Sequence, residues 1–213
     1  MQNSKRTILI FIFIIIVLII IAVALISGEN KTNRVIDLYG KIIQSSKYTW
    51  QMEEMNSEFD YKMRVSQRDN DINIDTESGG EKSSTLILDG KVYVIMHNLQ
   101  EYYSVDSSDV DGDIIVPGLK EIIQKEYENG REEVNGKTYY YEEYKNVSNF
   151  LMLVHETEDS QIITRFYFDN NDLVYIKNIV KDDDEEQEEL LKTKIEFDSS
   201  DELFEIPNDY AEM

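Results

Sequence analysis

The chain has 213 residues, no cysteine, and 43 acidic against 21 basic residues, which gives a formal net charge of −22 at pH 7. A chain this negative repels phosphate backbones, so nucleic acid is excluded as a partner. The absence of cysteine excludes a disulfide framework and a lipid-modified cysteine, so a folded domain of this size must be stabilised by a hydrophobic core.

The first predicted element is an apolar run, residues 8–26, that contains only Ile, Leu, Phe, Val and Ala. In a helix this run spans roughly 28 Å, close to the ~30 Å hydrocarbon core of a bilayer, so we predict a transmembrane helix. A cleaved signal peptide is the alternative, because Ala22 and Ala24 form an A-x-A pattern, although the run is longer than a typical signal core. Lys5 and Arg6 precede the run and predict a cytoplasmic N-terminus.

The expected organisation is that of a single-pass protein of the cell membrane, encoded by an AT-rich bacterial genome. Residues 1–7 form the cytoplasmic N-terminus, residues 8–26 the transmembrane helix and residues 27–33 a linker. Residues 34–213 form one acidic extracytoplasmic domain, because no long Pro-, Ser- or Gly-rich segment divides them. The membrane is therefore an expected partner.

A helix is predicted over residues 34–44, because apolar residues recur there at steps of three and four. From residue 48 the apolar period changes to two, which predicts half-buried strands over residues 48–52 and 59–65. Within residues 85–96, the dipeptide Asp89-Gly90 predicts a tight hairpin, because it tolerates the positive φ angles of a two-residue turn.

A second helix is predicted to begin at Pro117 and to end at Gly130, with an apolar stripe that includes Leu119, Ile122, Ile123 and Tyr127. After it, Asn135-Gly136 predicts another hairpin. The later predicted strands cover residues 149–156, 162–168, 173–180 and 193–197. Residues 181–189 are predicted to form a solvated acidic run.

This order of elements is typical of an α+β fold with one large antiparallel sheet. A strongly twisted sheet of that size tends to curl. We therefore predict a transmembrane helix followed by a curved antiparallel sheet, or half-barrel, covered by two amphipathic helices.

Three segments carry short motifs: residues 86–93 (LILDGKVY), residues 165–175 (RFYFDNNDLVY) and residues 203–210 (LFEIPNDY). They resemble segments of the LolA/LolB-like superfamily of lipoprotein carriers and its LppX-like relatives, although Asp209 stands where that family usually has Gly. The resemblance implies an incomplete barrel whose apolar concave face, under helical lids, holds acyl chains or other lipids. The predicted transmembrane helix would make this chain a membrane-anchored, Gram-positive-type relative, whereas the known carriers are soluble or lipid-anchored.

Catalytic chemistry has few candidates, because the chain has no cysteine and only two histidines, His97 and His155. Neither begins an H-E-x-x-H motif, and no phosphate-binding loop or dinucleotide fingerprint is present. The acidic loop of residues 106–113 resembles the start of a calcium loop, but Gly118 stands where an EF-hand needs Glu. We expect no enzyme activity, no metal and no cofactor.

Methionine and aromatic side chains on the early strands form the candidate ligand site, because such surfaces adapt to varied apolar shapes. The residues expected to line it are Trp50, Met52, Tyr61, Met63 and Tyr93. The hypothesis is a membrane-tethered, extracytoplasmic binding module for a lipid, an acyl chain or another amphiphile. The alternative is a structural or sensory ectodomain in which these residues fill a closed core and function depends on protein contacts.

Overall fold

A computed structural model describes residues 33–55, 60–106, 116–147, 161–181 and 186–213. These residues include two helices, α1 (Arg34–Gln44) and α2 (Val116–Ile122), and a 3-10 helix at Asp201–Phe204. The strands are β1 (Lys47–Glu54), β2 (Lys62–Arg68), β3 (Asp71–Ser78), β4 (Glu81–Leu88), β5 (Lys91–Met96), β6 (Glu101–Asp106), β7 (Tyr127–Val134), β8 (Lys137–Lys145), β9 (Gln161–Asp169), β10 (Asp172–Lys181), β11 (Glu186–Glu196) and β12 (Ala211–Glu212).

All twelve strands belong to one sheet, in the order β12-β6-β5-β4-β3-β2-β1-β11-β10-β9-β8-β7. Strands β1 to β6 form one antiparallel meander, and β7 to β11 form a second. The two meanders meet where β1 pairs with β11. Strand β12 pairs in parallel with the first residues of β6, which makes the sheet mixed.

The predicted tight turns are confirmed. Asp89 and Gly90 have φ angles of 51° and 77° between β4 and β5, and Asn135 and Gly136 have φ angles of 51° and 79° between β7 and β8. Positive φ at both central residues matches the right-handed twist of the flanking strands, so these dipeptides determine the hairpin register.

The main hydrophobic core lies between the two helices and one face of the sheet, which we call the helix face. Helix α1 contributes Val35, Leu38 and Ile42, which are spaced at steps of three and four. The largest fully buried side chains that the sheet contributes to this core are Trp50, Tyr48, Tyr144, Phe166, Ile176 and Leu191. This core is filled around Trp50, whose side chain is fully buried.

Glu142, a fully buried residue of β8, caps the N-terminus of α1. Its two carboxylate oxygens accept hydrogen bonds from the backbone N–H groups of Arg34 at 2.8 Å and Val35 at 3.1 Å. The hydroxyls of Tyr140 and Tyr144 lie at 3.4 Å from the same carboxylate. Burial raises the pKa of Glu142, although these hydrogen bonds oppose the shift. The cap fixes the position of α1 on the sheet, because it satisfies N–H groups that have no partner within the helix.

The opposite face of the sheet, which we call the charged face, carries a partly buried ionic cluster on β7 to β10. Glu132 accepts hydrogen bonds from Arg165 at 2.8 Å and from the hydroxyl of Tyr167 at 2.8 Å, and Lys177 lies at 3.3 Å. Arg165 also donates to Glu143 at 2.6 Å. Burial acts to raise the pKa of Glu132, but the Tyr167 hydrogen bond and the two basic residues outweigh it and lower that pKa.

We predict that Glu132 contributes stability that is fully present above the ordinary glutamate pKa of about 4.5. That contribution is lost as the pH falls through the lower pKa of the folded protein, because the carboxylate must then be protonated. A Glu132→Gln variant should therefore be less stable at neutral pH and should converge with the parent at acid pH. Urea unfolding midpoints between neutral pH and pH 3 measure the difference. Glu133→Gln, at an exposed position of β7, is the control, and a constant offset for Glu132→Gln would contradict the prediction.

The predicted α+β fold with a half-barrel covered by two amphipathic helices is wrong. One mixed sheet of twelve strands dominates the described residues, and α1 and α2 have only 11 and 7 residues. The second predicted helix ends at Ile122, and Gly130 lies inside β7. A Cβ atom at Gly130 would lie 2.6 Å from the hydroxyl oxygen of Tyr141, so this glycine accommodates a cross-strand aromatic ring and does not end a helix.

The predicted solvated run over residues 181–189 is also partly wrong, since Glu186–Glu196 forms β11. Within that strand Glu189 is buried and accepts a hydrogen bond from Asn178 at 2.8 Å. Strand pairing therefore extends into a segment whose acidic composition suggested a loop. A buried carboxylate is tolerated there because a neighbouring amide satisfies it.

No helix among the described residues is long and apolar enough to cross a membrane. That finding contradicts the predicted single-pass topology, the cell-membrane location with an extracytoplasmic domain, and the membrane as a partner. The apolar run of residues 8–26 itself lies outside the described residues. His155, the predicted strand over residues 149–156 and most of the acidic loop of residues 106–113 also lie outside them.

Candidate functional site

Two parallel rows of side chains cross the charged face, perpendicular to five neighbouring strands. The first row alternates in charge from β11 to β4: Lys192, Glu53, Lys62, Glu77 and Lys82. The second row lies two residues along each strand: Lys194, Gln51, Arg64, Asp75 and Ser84. The rows form because antiparallel register places these positions directly opposite one another, and alternate residues share a face.

A groove with a volume of about 870 Å³ lies between the two rows. Five residues between the rows also line it: Thr193, Met52, Met63, Thr76 and Ser83. Side chains of a strand alternate between faces, and Met52 is buried in the main core with Met63 packed against it. The side chains of these five residues therefore point to the other face, and their backbone forms the floor of the groove. The two charged rows form its walls.

The wall charges form exposed cross-strand ion pairs. Lys62 lies 3.9 Å from Glu53 and Lys82 lies 3.3 Å from Glu77, with each of these side chains more than a third exposed. Arg64 pairs with Asp75 in the second row. Lys194 pairs with Glu196, outside the lining, at 2.5 Å. Lys192 forms no ion pair with any of the described residues.

The lining contains five basic and three acidic residues, which gives a local formal charge of +2. Counting the Glu196 partner of Lys194 still leaves +1. The whole chain carries −22, so the groove has the opposite sign to the rest of the molecule. The lining therefore combines charges of both signs with a small basic excess.

A chain of hydrogen bonds closes one end of the groove and connects the sheet to the C-terminal segment. The Ser84 hydroxyl donates to Asp75 at 2.5 Å and lies 2.6 Å from Nε2 of His97. Nδ1 of His97 lies 3.1 Å from the hydroxyl of Tyr210, and the two rings meet edge to face at 5.7 Å. Asn73 also donates to Asp75, at 3.1 Å.

The direction of these hydrogen bonds determines what the Ser84 hydroxyl can do. Its single proton is donated to Asp75, so Nε2 of His97 must carry a proton and donate to the Ser84 oxygen. In the neutral ring, Nδ1 then accepts the Tyr210 proton. His97 is therefore not placed as a base toward Ser84, and this Ser–His contact differs from a nucleophile–base pair.

Of the five residues predicted to line a lipid cavity, Trp50, Met52 and Met63 lie together in the main core, and Tyr93 lies apart from them. Met52 and Met63 line the groove through the floor described above. Trp50 is fully buried on the helix face, where its indole N–H donates to Thr193. The hydroxyl of Tyr61 lies 3.7 Å from the sulfur of Met63, and Tyr93 packs in a separate cluster around Leu86, Ile95 and Phe204.

The charged walls were absent from the sequence-based prediction, because single charged residues on strands are usually solvated. One signal was available. The Gly79-Gly80 turn joins β3 to β4 and places Glu77 opposite Lys82, so the hairpin alone indicates an opposite-charge pair. Strand β11 adds Lys192 and Lys194 to the walls only because it pairs with β1, and no local sequence pattern indicates that pairing.

No family model matches the chain, and no curated protein sequence matches it. Among solved structures, an uncharacterized conserved protein from Thermus thermophilus is similar, with a TM-score of 0.50 and 9% sequence identity. The similarity covers 86% of this chain and 99% of that one. At this identity the likeness concerns the fold alone, and the resemblance to LolA-like carriers stays a prediction.

Proposed function

We propose that the chain is a non-catalytic binding module that holds an anionic amphiphile in the groove of the charged face. The observation that carries the proposal is the positive charge of the groove lining in a chain with a net charge of −22. The groove volume of about 870 Å³ falls within the range of ~300–1,000 Å³ that is usual for small-molecule sites.

A basic residue of the walls can exchange its acidic partner for a ligand, because the exposed ion pairs are weak. Exposed ion pairs such as Lys62–Glu53 contribute about 0–1 kcal/mol each, so a bound anion can replace them at little cost. The lysine side chains also supply aliphatic stems behind their ammonium groups. A ligand with an acidic head and an apolar chain can contact both parts.

The proposed ligand class agrees with the one implied by the resemblance to lipoprotein carriers, but the proposed face differs. The resemblance implies an apolar cavity under the helices, where Trp50 instead fills the core. The proposal therefore places the amphiphile on the opposite face. Catalysis is not proposed, because the proton of Ser84 is directed to Asp75 and His97 donates to Ser84.

The proposal predicts that a fluorescent fatty acid binds more tightly than its uncharged methyl ester. Lys192→Glu should weaken binding of the acid by about fivefold, because reversal of an exposed charge changes the contact by roughly 1 kcal/mol. A fluorescence titration of the whole protein at low ionic strength measures both effects. Lys41→Glu, at an exposed position of α1, makes the same charge change away from the groove and should leave the affinity unchanged. Equal affinity for acid and ester would contradict the proposal.

Contact with another protein is a second candidate function, and one observation favours it. Leu99, Tyr103 and Val105 are 62%, 40% and 42% exposed, on or beside the edge strand β6. Strand β12 pairs with only the first two residues of β6. Exposed apolar residues beside an incompletely paired edge are typical of protein contacts. Tyr103→Lys should disrupt such a contact and should not alter fatty-acid binding in the groove.

A further inference from the structure

Four of the five basic residues of the groove are arranged in pairs on alternate strands, and the fifth, Lys82 on β4, is already paired with Glu77. Lys192 and Lys194 lie two residues apart on β11, and Lys62 and Arg64 lie two residues apart on β2. Strand β1 separates the two pairs and contributes Gln51 and Glu53. Within each pair the two residues lie on opposite walls of the groove, at a spacing of about 7 Å along the strand. Each pair therefore faces the groove from both sides.

The distance between the two pairs follows from the geometry of the sheet. Neighbouring strands lie about 4.7–4.9 Å apart, so two strands separated by β1 lie about 10 Å apart. Midway between the pairs, Glu53 places a carboxylate at the wall and Gln51 places a neutral amide. A negative group in the middle of a ligand would meet Glu53 and would be repelled.

We propose that the groove recognises a linear dianion whose two acidic groups are about 10 Å apart and are joined by an uncharged segment. This inference rests on the proposed function of the groove and specifies its ligand. One acidic group contacts Lys192 and Lys194, and the other contacts Lys62 and Arg64. Arg64 remains paired with Asp75, whereas the pair of Lys62 with Glu53 is longer, at 3.9 Å, and more exposed, so Lys62 supplies the larger part of the second contact.

A ligand with both acidic groups should bind more tightly than one with a single acidic group. Once the first group is bound, the second is held near its basic pair at a high effective concentration. A dianion of matched length should therefore bind about tenfold or more tightly than a monoanion of the same length. A dianion that is too short cannot reach both pairs. One that is too long must bend, which lowers the effective concentration.

A length series of α,ω-dicarboxylates and of the matching monocarboxylates tests the inference. Each compound displaces the fluorescent fatty acid from the whole protein at low ionic strength. We expect the dicarboxylate affinity to peak at chains of about eight to ten carbons, given C–C bonds of about 1.5 Å. Over the same range, the monocarboxylate affinity should change smoothly with chain length.

Two variants locate the two contacts. Lys192→Gln and Lys62→Gln should each remove the peak and reduce the dicarboxylate affinity to that of the monocarboxylate. Lys41→Gln should retain the peak, and circular dichroism verifies that each variant is folded. Binding of both series without a length optimum would overturn the inference and leave the proposed function standing. If the fluorescent fatty acid itself does not bind, the proposed function fails.

Discussion

Replacing Glu142 by alanine is expected to lower the free energy of unfolding by about 3 kcal/mol, because it removes the acceptor of the buried N–H of Val35 and of the partly buried N–H of Arg34 at the N-terminus of α1. Each unsatisfied buried donor costs roughly 1–3 kcal/mol, and loss of the carboxylate also removes its favourable interaction with the helix dipole. The total stability of a domain is about 5–15 kcal/mol, so the effect should be large in urea unfolding.

Glu142→Gln separates the cap from its charge. The amide keeps one acceptor oxygen for Arg34 or Val35 and avoids the burial of a charge, so the loss of stability should be smaller than for alanine.

Burial raises the pKa of Glu142, so in the parent protein this residue binds its proton more tightly when folded. Its contribution therefore decreases as the pH rises through the folded pKa. Glu133→Ala, at an exposed position, should change stability by less than about 0.5 kcal/mol. A similarly small effect at Glu142 would show that the cap is not needed.

Trp50→Ala is expected to cost about 3–5 kcal/mol, because the indole is fully buried in the main core and its removal leaves a cavity. Loss of the hydrogen bond from the indole to Thr193 adds to the cost. Phe197→Ala is the control for loss of an aromatic ring, since Phe197 is 46% exposed. Urea unfolding followed by far-UV circular dichroism gives both values.

The same residue also tests the cavity predicted on the helix face. Trp50 is the only tryptophan of the chain, so its fluorescence reports on this face alone. In a filled core, its emission should be that of a water-excluded indole and should not change when the fatty acid binds. A small stability loss in Trp50→Ala, together with an emission shift on ligand addition, would contradict the filled core and restore the cavity on that face.

Local patterns predicted the parts of the fold that local interactions determine. The apolar spacing of Val35, Leu38 and Ile42 gave the bounds of α1, which the structure confirms as Arg34–Gln44. Asp89-Gly90 and Asn135-Gly136 gave two hairpins with correct turns. In each case, the residues that define the element lie within a few positions of one another.

Other parts of the fold depend on partners that are distant in sequence. The apolar stripe after Pro117 continued to Tyr127, which nevertheless lies in β7 opposite Tyr144, where the two rings stack at 5.8 Å. Pairing with β8 therefore overrides the local helical pattern. The groove was missed for a related reason, since its walls exist only after β1 pairs with β11. Composition predicted a negative surface and could not indicate a positive groove within it.

The pairing of β1 with β11 also has a consequence for the order in which the protein folds. The hydrogen bond from Trp50 to Thr193 joins residues 143 positions apart, so the centre of the sheet closes through a contact of high sequence separation. Such contacts form slowly, because the entropy of closing a long loop opposes them. During synthesis β1 to β6 emerge first and can form their local hairpins, but the inner edge of β1 has no partner until β11 leaves the ribosome. Until then β1 is an exposed edge strand and a site for mispairing, so we expect assistance from a chaperone to matter most during this interval.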